Sequence, residues 1–326
     1  MFRRIRNSLA YRLKRNLAIG STPVPPESGG EKNNASHFSG SKGEMSSEAY
    51  WSDFNVTLHK KFSGPAESLD YMHWRNDQYV DYIKFLPVSS HDGEVILDYG
   101  CGPGHDLIGF LTYSRPAAVY GMDISGPSLA ESADRLRVHG YDCKLVHVSE
   151  SDERIPLDDE TVDYVHCSGV LNHVPSPEKI LKEFRRILKP NGYARLMVYN
   201  RESLWVHLFV AHVLPAADPK YRGLSREEAF RRSTDTFDCP ISRNWTPQEV
   251  DELASASGFT AKHLGNSVSI FEMSLLPQRF APMMERSFDA ESRRFLSSIE
   301  FDSRGVPHVD GRGAGIDGCY ELRKAG

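Results

Sequence analysis

The chain has 326 residues, of which 40% are hydrophobic and 25% charged, an ordinary globular composition. Its 39 basic and 44 acidic residues give a net charge of -5, which argues against a protein that binds nucleic acid over its whole surface. The five cysteines are scattered and form no CxxC pair, which argues against a disulfide scaffold and a zinc site and favours a reducing, cytoplasmic compartment.

The first 19 residues are predicted to form a basic amphipathic helix. Residues 1–26 contain six basic residues and no acidic one. One apolar stripe has helical spacing and consists of Phe2, Ile5, Leu9, Leu13 and Leu17. Such a helix can contact an anionic membrane surface, act as an organellar targeting peptide, or pack on its own domain, and a disordered basic tail is a further alternative. No apolar run reaches ~18 residues, so no transmembrane span is predicted.

Composition divides the rest of the chain into three parts. Residues 20–48 are rich in Gly, Ser, Pro and Asn and predict a flexible linker. Residues 49–92 are dense in aromatics and predict a helical cap segment. Residues 93–326 predict the main domain, in which residues 201–245 form an insertion.

Strand and helix patterns alternate along the main domain. Strands are predicted at residues 94–98, 118–123, 143–148, 162–168, 193–199, 259–264 and 319–324. Helices are predicted from His105, Ser125 and Ser176, and a capping box at Thr246 predicts another. This alternation predicts a doubly wound α/β fold, with a mostly parallel seven-stranded sheet and helices on both faces. The apolar stretch 203–216 predicts a core or cap helix, with a lipid-facing or dimer surface as the alternative.

The most informative motif is VILDYGCGPGHD, at residues 95–106. A buried strand stops at a turn where Gly100, Gly102 and Gly104 allow positive φ and a close approach of a ligand to the backbone. In open α/β sheets, ligands bind beyond the carboxyl ends of the strands. The G-x-G-x-G spacing differs from the dinucleotide pattern G-x-G-x-x-G, and Asp98 before the first glycine suits a cationic ligand better than a pyrophosphate.

Four segments in the same order resemble class I S-adenosylmethionine-dependent methyltransferases of the small-molecule type, which includes quinone-biosynthesis and natural-product enzymes. They are DYGCGPG (98–104), YGMDIS (120–125), ERIPLDDETVDYVHCSGVLNHV (153–174) and LKPNG (188–192). The resemblance implies a Rossmann-like sheet, S-adenosylmethionine as the cofactor and S-adenosylhomocysteine as its product. The last segment is predicted to be a structural turn.

The resemblance also implies which residues bind the cofactor. Asp98 would position the glycine turn and the methionyl amino group, and the backbone of the turn would line the methionyl part through Gly100, Cys101, Gly102 and Gly104. Asp123 would accept both ribose hydroxyls, and Ile124 would pack on the adenine.

Two further cofactor positions are less regular. Ser151 stands where the family usually carries the acid that binds the adenine amino group, and Asp152 or Glu150 could substitute for it. Cys167, at the end of the fourth strand, would lie near the sulfonium. Cys101 and Cys167 are predicted to be small packing residues rather than nucleophiles.

An acceptor hydroxyl or ammonium must lose a proton, and histidine is a suitable base near neutral pH. His173, which follows the fourth strand in CSGVLNHV, is the preferred candidate, with a structural role as the alternative. His73 in YMHWRND is the second candidate. His105 is better explained as a helix-start residue.

Two segments are predicted to form the acceptor site. In residues 71–77, Trp74 could close over the cofactor, and Arg75 could pair with a carboxylate of the cofactor or the substrate. The alternative is a salt-bridged packing segment. In residues 233–245 a polar lid contains Asp235, Asp238, Ser242 and Arg243, and the last two are predicted to contact the substrate.

The sequence therefore predicts a metal-independent methyltransferase whose acceptor is a small polar molecule, such as a sugar, an acid or a lipid-linked intermediate. Methylation of oxygen is favoured over nitrogen or carbon. Nucleic acid is not expected, because CSGV stands where enzymes that methylate DNA bases carry NPPY or DPPY. The alternatives are a non-catalytic methyltransferase-like regulatory or scaffold protein and an NAD-dependent oxidoreductase.

Overall fold

The computed structural model of the chain describes residues 45–54, 60–152, 154–236 and 239–326. The helix predicted at residues 1–19 and the predicted linker up to residue 44 lie outside this part. Within it, no helix combines the length and the apolar character needed to cross a bilayer.

Eight strands form one mixed sheet, in the order β1-β7-β11-β6-β5-β2-β3-β4. Their bounds are β1 Tyr79–Val80, β2 Val95–Tyr99, β3 Ala118–Asp123, β4 Lys144–His147, β5 Val162–Ser168, β6 Leu188–Tyr199, β7 Phe259–Ser269 and β11 Asp317–Lys324. Strands β4, β3, β2, β5 and β6 are parallel, whereas β11 is antiparallel to β6 and β7. The predicted doubly wound, mostly parallel sheet is confirmed, with the two-residue β1 as an eighth strand on β7.

Helices pack around this sheet. Their bounds are α1 Ser47–Asp53, α2 Pro65–Asp77, α3 Tyr82–Phe85, α4 His105–Tyr113, α5 Gly126–His139, α6 Pro177–Ile187, α7 Leu214–Ala217, α8 Arg226–Arg231, α9 Pro247–Ala256, α10 Ile270–Leu275, α11 Phe280–Met284 and α12 Ala290–Ser297. Local sequence signals set several ends: Thr246 and Glu249 form the predicted capping box of α9, and Gly140 ends α5 at φ 68°.

Two strands differ from the prediction by more than two residues. LKPNG was expected to be a turn, but these residues begin β6, which therefore starts at Leu188. The pairing register of β5 and β6 shifts between Val162 and Tyr164, and this irregularity allows β6 to continue through the LKPNG residues. Strand β7 continues to Ser269, well beyond residue 264, because β11 pairs with it as far as Ser267.

The apolar stretch after β6 is buried. It forms a π-helix, Trp205–Val213, that continues into α7, and Leu208 and Phe209 have no exposed surface. They pack with Phe271 and Leu296 of the β7–β11 connection in a second apolar cluster beside the sheet. The core interpretation of residues 203–216 is confirmed. The same connection carries a small antiparallel sheet of β8 Glu300–Phe301, β9 Pro307–Val309 and β10 Arg312–Gly313.

Candidate functional site

The carboxyl ends of the parallel strands meet at one edge of the sheet, and the glycine turn lies there between β2 and α4. The φ values of Gly100, Gly102 and Gly104 are 79°, 52° and 78°. The backbone N–H groups of Gly100 and Cys101 donate to the carbonyl of Met122, at 2.7 and 3.0 Å. These bonds join the turn to the end of β3.

The three glycines have different surroundings. A Cβ at Gly100 would lie 2.1 Å from a Val170 methyl, and one at Gly104 would lie 2.4 Å from the Ser132 hydroxyl. A Cβ at Gly102 would meet no atom within 4 Å. Gly102 therefore faces open space, as the ligand-approach side of such a turn requires.

Asp98 ends the buried part of β2, and its side chain is almost inaccessible. Its Oδ2 has no hydrogen-bond partner. Burial raises the pKa of this carboxyl to about 7, and the nearby His166 acts in the opposite direction. A buried carboxylate without a donor is unfavourable, so the arrangement suits a ligand that brings a cationic donor.

Asp123 ends β3, and its carboxylate is held by two backbone donors. Oδ2 accepts from the N–H of Gly102 and Oδ1 from the N–H of Ser125, both at 2.8 Å. Burial raises the pKa of this carboxyl, and these two hydrogen bonds oppose that effect. Each oxygen keeps a lone pair for a further donor, such as a hydroxyl.

The turn after β4 is exposed, and side chains of the turn itself form hydrogen bonds within it. Asp152 Oδ2 accepts from the N–H of Ser149 at 2.7 Å, and the Ser151 and Ser149 hydroxyls are 3.1 Å apart. Ile124 is half-buried, and its carbonyl accepts from the ring of His147 at 2.9 Å. Ser151, Asp152 and Ile124 thus lie at the same edge of the sheet as Asp123.

Both candidate cysteines are buried. Cys167 has no exposed surface and belongs to the core cluster under β5, and Cys101 packs against β3. Burial raises the pKa of both thiols well above the usual range. They are buried packing groups whose thiols remain protonated, as expected of cysteines that are not nucleophiles.

His173 lies in a 3-10 turn, Leu171–His173, beyond the end of β5, and its side chain is largely buried. Its Nδ1 is 2.7 Å from the carbonyl of Ile241. Because a carbonyl only accepts, Nδ1 carries the proton and Nε2 of the neutral ring presents a lone pair. Nε2 lies 3.7 Å from Oδ2 of Asp235.

Asp235 is held by two hydroxyls. Tyr199 donates to Oδ1 at 3.0 Å and Ser242 donates to Oδ2 at 3.1 Å. The negative charge of Asp235 adds to the effect of burial in raising the pKa of Tyr199. Asp235 therefore connects Tyr199, at the end of β6, to Ser242 of the lid segment through its buried carboxylate.

Helix α1 covers this group. The Trp51 ring meets the His173 imidazole at a centroid distance of 4.7 Å, and Tyr199 meets it at 5.7 Å. Tyr50 forms a hydrogen bond with the Thr236 hydroxyl at 2.8 Å. His173 is thus enclosed by aromatic rings contributed by β6 and by the cap segment.

The predicted residues of segment 71–77 lie on α2 and contact residues other than His173 and Asp235. His73 is exposed on α2 and pairs with the Tyr113 hydroxyl at 2.6 Å, and Trp74 is 44% exposed. Arg75 forms an ion pair with Asp106, at the start of α4. The structure thus supports the packing interpretation for Arg75, although Arg75 still lies close enough to act electrostatically on the Asp98 carboxyl.

His105 is also buried beneath the glycine turn. Its Nδ1 contacts the guanidinium of Arg135, and burial lowers the pKa of the imidazole well below its usual value. This group is a neutral, structural histidine at the start of α4, as expected.

The two lid residues have different partners. Ser242 points to Asp235, inside the site. The Arg243 guanidinium instead donates to the carbonyls of Val174 and Pro175, at 2.8 and 3.1 Å. Arg243 therefore links the lid segment to the loop after β5. The sequence predicted a substrate contact for Arg243 and did not predict this structural role. Asp238 lies outside the described residues.

Three potential metal ligands come together here, although no metal was expected. His173, Asp235 and Cys239 place ligand atoms within 4.8 Å of one another. The imidazole turns Nδ1 towards the Cys239 sulfur, at 4.0 Å, and Nε2 towards Asp235. Since Nδ1 donates to the Ile241 carbonyl, Nε2 is the ring nitrogen that keeps a lone pair for an ion.

The partners of His173 were missed by reasoning from the sequence. Asp235 was noted only as a polar lid residue, and Tyr50, Trp51 and Tyr199 were not assigned to the site. The one signal was the density of aromatics after residue 49, which predicted a cap but not the side chain that it covers.

Comparison with known proteins shows which family the chain is similar to. Residues 71–264 match a family model described as a methyltransferase domain. "Probable methyltransferase ltbC" of Aspergillus luteorubrus is 34% identical over 152 residues, covering 40% of this chain and 52% of its own length. A ubiquinone biosynthesis O-methyltransferase of Hydrogenovibrio crunogenus is 27% identical over 197 residues, covering 59% and 71%.

Among solved structures, the YcgJ protein of Bacillus subtilis aligns with a TM-score of 0.46 at 16% identity, over 80% of this chain and all of that one. The chain spans about half the length of the first relative named above.

Proposed function

Because the chain belongs to the methyltransferase-domain family and uses S-adenosylmethionine, we propose that it methylates an oxygen of a small polar acceptor, with His173 as the general base. The observation that carries this proposal is the position of the His173 Nε2 lone pair beside a buried carboxylate, at the carboxyl edge of the sheet. Oxygen is favoured because a neutral hydroxyl needs a base to become a good nucleophile.

The residues present fit the cofactor. Asp98 offers an unpartnered buried oxygen to a cationic amino group, Gly102 leaves open space beside the turn, and Asp123 keeps free lone pairs for hydroxyls. Ser151, Asp152 and Ile124 are proposed to lie along the adenine. When bound, S-adenosylmethionine supplies a methyl group on a sulfonium that a nucleophile can attack in line.

On the acceptor side, the Nε2 atom of His173 would take the proton of the hydroxyl, while Nδ1–H keeps its hydrogen bond to the Ile241 carbonyl. Asp235 would stabilise the imidazolium that forms, since its carboxylate lies 3.7 Å from Nε2. Tyr199 and Ser242 keep that carboxylate in place. Helix α1 would exclude water through Trp51.

The test is turnover with labelled S-adenosylmethionine and a panel of hydroxyl acceptors that includes sugars, acids and lipid-linked compounds. We expect a methyl ether product with wild-type protein and a strong loss with His173→Phe. Binding of S-adenosylhomocysteine without turnover of any acceptor would support the regulatory or scaffold alternative. Binding of NAD in its place would support the oxidoreductase alternative.

Membrane-surface contact through residues 1–19 is a separate proposal. It rests on the six basic residues and the apolar stripe of the sequence, which together suit an anionic interface. It would place the domain near a lipid-linked acceptor.

A further inference from the structure

The proposed acceptor site contains a buried carboxylate whose one ion-pair neighbour among the described residues is a histidine. Asp235 is 9% exposed, and its two hydrogen-bond donors, Tyr199 and Ser242, are neutral hydroxyls. Within the described part of the chain, no arginine or lysine lies within ion-pair distance of this carboxylate, whose one such neighbour is His173.

The lid arginine does not supply that cation. Arg243 points its guanidinium at the carbonyls of Val174 and Pro175, away from Asp235. Arg201, at the base of the insertion, is paired with Glu249 and Asn244. A carboxylate or phosphate on the acceptor would therefore meet the like charge of Asp235, and neither Arg243 nor Arg201 is directed towards it.

The walls of the site favour the opposite kind of acceptor. Trp51 and Tyr199 flank His173 at 4.7 and 5.7 Å, and Tyr50 lies beside Thr236. Aromatic faces pack on flat or apolar surfaces and attract cations through the ring quadrupole. The negative charge of Asp235 also reaches these groups, because it adds to burial in raising the pKa of Tyr50.

His173 and Asp235 also set what the acceptor must bring. Nε2 and Oδ2 both accept hydrogen bonds and face each other at 3.7 Å, so neither satisfies the other while the imidazole is neutral. A hydroxyl donor placed at Nε2 supplies the missing proton, whereas an ionised acid brings further lone pairs.

We propose that Asp235 is a specificity-determining residue that restricts the acceptor to ring hydroxyl compounds without negative charge, either neutral or cationic. This inference rests on the proposed function. It excludes acids from the acceptor classes that the sequence analysis proposed.

The experiment uses the full chain saturated with S-adenosylhomocysteine and three phenols of similar size. Tyramine is cationic, 4-ethylphenol is neutral and 4-hydroxyphenylacetate is anionic at pH 7. In calorimetric titration, tyramine and 4-ethylphenol should each bind more tightly than 4-hydroxyphenylacetate, with dissociation constants lower by about tenfold or more. In Asp235→Asn, which keeps the size of the side chain, the ratio between tyramine and 4-hydroxyphenylacetate should shrink by about tenfold.

The matched control is Asp163→Asn. Asp163 lies at the start of β5, where it pairs with Lys189 at 2.7 Å, and its loss should leave the ratio unchanged. Equal or tighter binding of the anion, an unchanged ratio in Asp235→Asn, or no binding of any phenol would each overturn the proposal. The wild-type series tests it even where Asp235→Asn fails to fold.

Binding is read without methyl transfer, so the two proposals can fail separately. A protein that binds the phenols in the expected order but turns over no acceptor would contradict the proposed function and leave the charge selectivity in place. Turnover of an anionic acceptor at the same rate as its neutral analogue would support the proposed function and contradict the charge selectivity.

Discussion

His173 and Asp235 face each other across 3.7 Å, with Nε2 of the imidazole towards Oδ2 of the carboxylate, while Nδ1–H is held by the Ile241 carbonyl. The pair joins a turn after β5 to the lid segment, two regions separated by about sixty residues of sequence. In the proposed mechanism, this orientation puts the proton-accepting nitrogen of the ring next to a carboxylate that would stabilise the protonated ring.

Replacement of His173 by phenylalanine should lower kcat by about 10²-fold to 10⁴-fold, the usual contribution of a general base. The ring contacts with Trp51 and Tyr199 would be retained, and the affinity for S-adenosylhomocysteine should change little. Steady-state kinetics with labelled cofactor, together with calorimetry, would measure both. His73→Phe removes the rival base, which is exposed on α2, and a comparable loss in that variant would contradict the assignment.

The Asp98 carboxyl should make both stability and cofactor binding depend on pH. Its pKa is raised from the ordinary value of 3.8 to about 7, so the folded state binds the extra proton between these values. Stability from this group is therefore greatest at low pH and falls as the pH rises from ~4 to ~7. Affinity for the cofactor should increase as the pH rises through 7, because the ionised carboxylate receives the amino group.

Asp98→Asn should remove this contribution to the pH dependence and weaken cofactor binding at pH 8 more than at pH 6. Chemical denaturation and calorimetry across this range would measure the two effects. An unchanged pH slope of binding in Asp98→Asn would show that another group titrates.

Two glycine substitutions should separate folding from ligand access. Gly104→Ala introduces a Cβ 2.4 Å from the Ser132 hydroxyl at a φ of 78°, and should destabilise the fold by more than the ~1–2 kcal/mol that left-handed backbone costs an alanine. Gly102→Ala has a φ of 52° but open space at its Cβ, so its loss of stability should stay near ~1–2 kcal/mol. Denaturant unfolding would measure both.

Gly102→Ala should nevertheless weaken binding of S-adenosylhomocysteine, because the added methyl occupies the side of the turn that faces open space. Retention of wild-type affinity in this variant would place the ligand on another side of the turn.

Asp123→Ala should reduce cofactor affinity by at least about tenfold, since charge-assisted hydrogen bonds contribute about 1.5–3 kcal/mol each. The variant also loses the bonds from the N–H groups of Gly102 and Ser125, so the turn itself should loosen. Calorimetry with S-adenosylhomocysteine is the measurement. Asp134→Ala, which removes an exposed acid of α5 paired with Arg137, is the matched control and should bind normally.

The basic segment should bind anionic vesicles. The full chain is expected to sediment with liposomes that contain phosphatidylserine, and a chain that begins at Ser46 is expected to remain in the supernatant. High salt should release the full chain, because the attraction is partly electrostatic. Equal sedimentation of the two chains would exclude residues 1–19 as the membrane-binding element.

Much of the fold was predictable because its signals are local. Strand β3 and strand β5 begin and end at the predicted residues, and the capping box at Thr246 places the start of α9. The turn at Gly100 to Gly104 and the acid at Asp123 follow from spacing along one strand and its turn. Such features depend on φ preferences, capping and periodicity, which a short stretch of sequence contains.

The surroundings of His173, where we propose that the acceptor binds, were not predictable in the same way. His173, Asp235 and Trp51 come from a turn after β5, the lid segment and α1, and no periodicity relates their positions. Only the packing of α1 and of the lid over the edge of the sheet brings an imidazole, a carboxylate and an indole together. The sequence alone therefore determined most strands of the sheet and the glycine turn, whereas the tertiary structure decided what surrounds His173, because those contacts join residues distant along the chain.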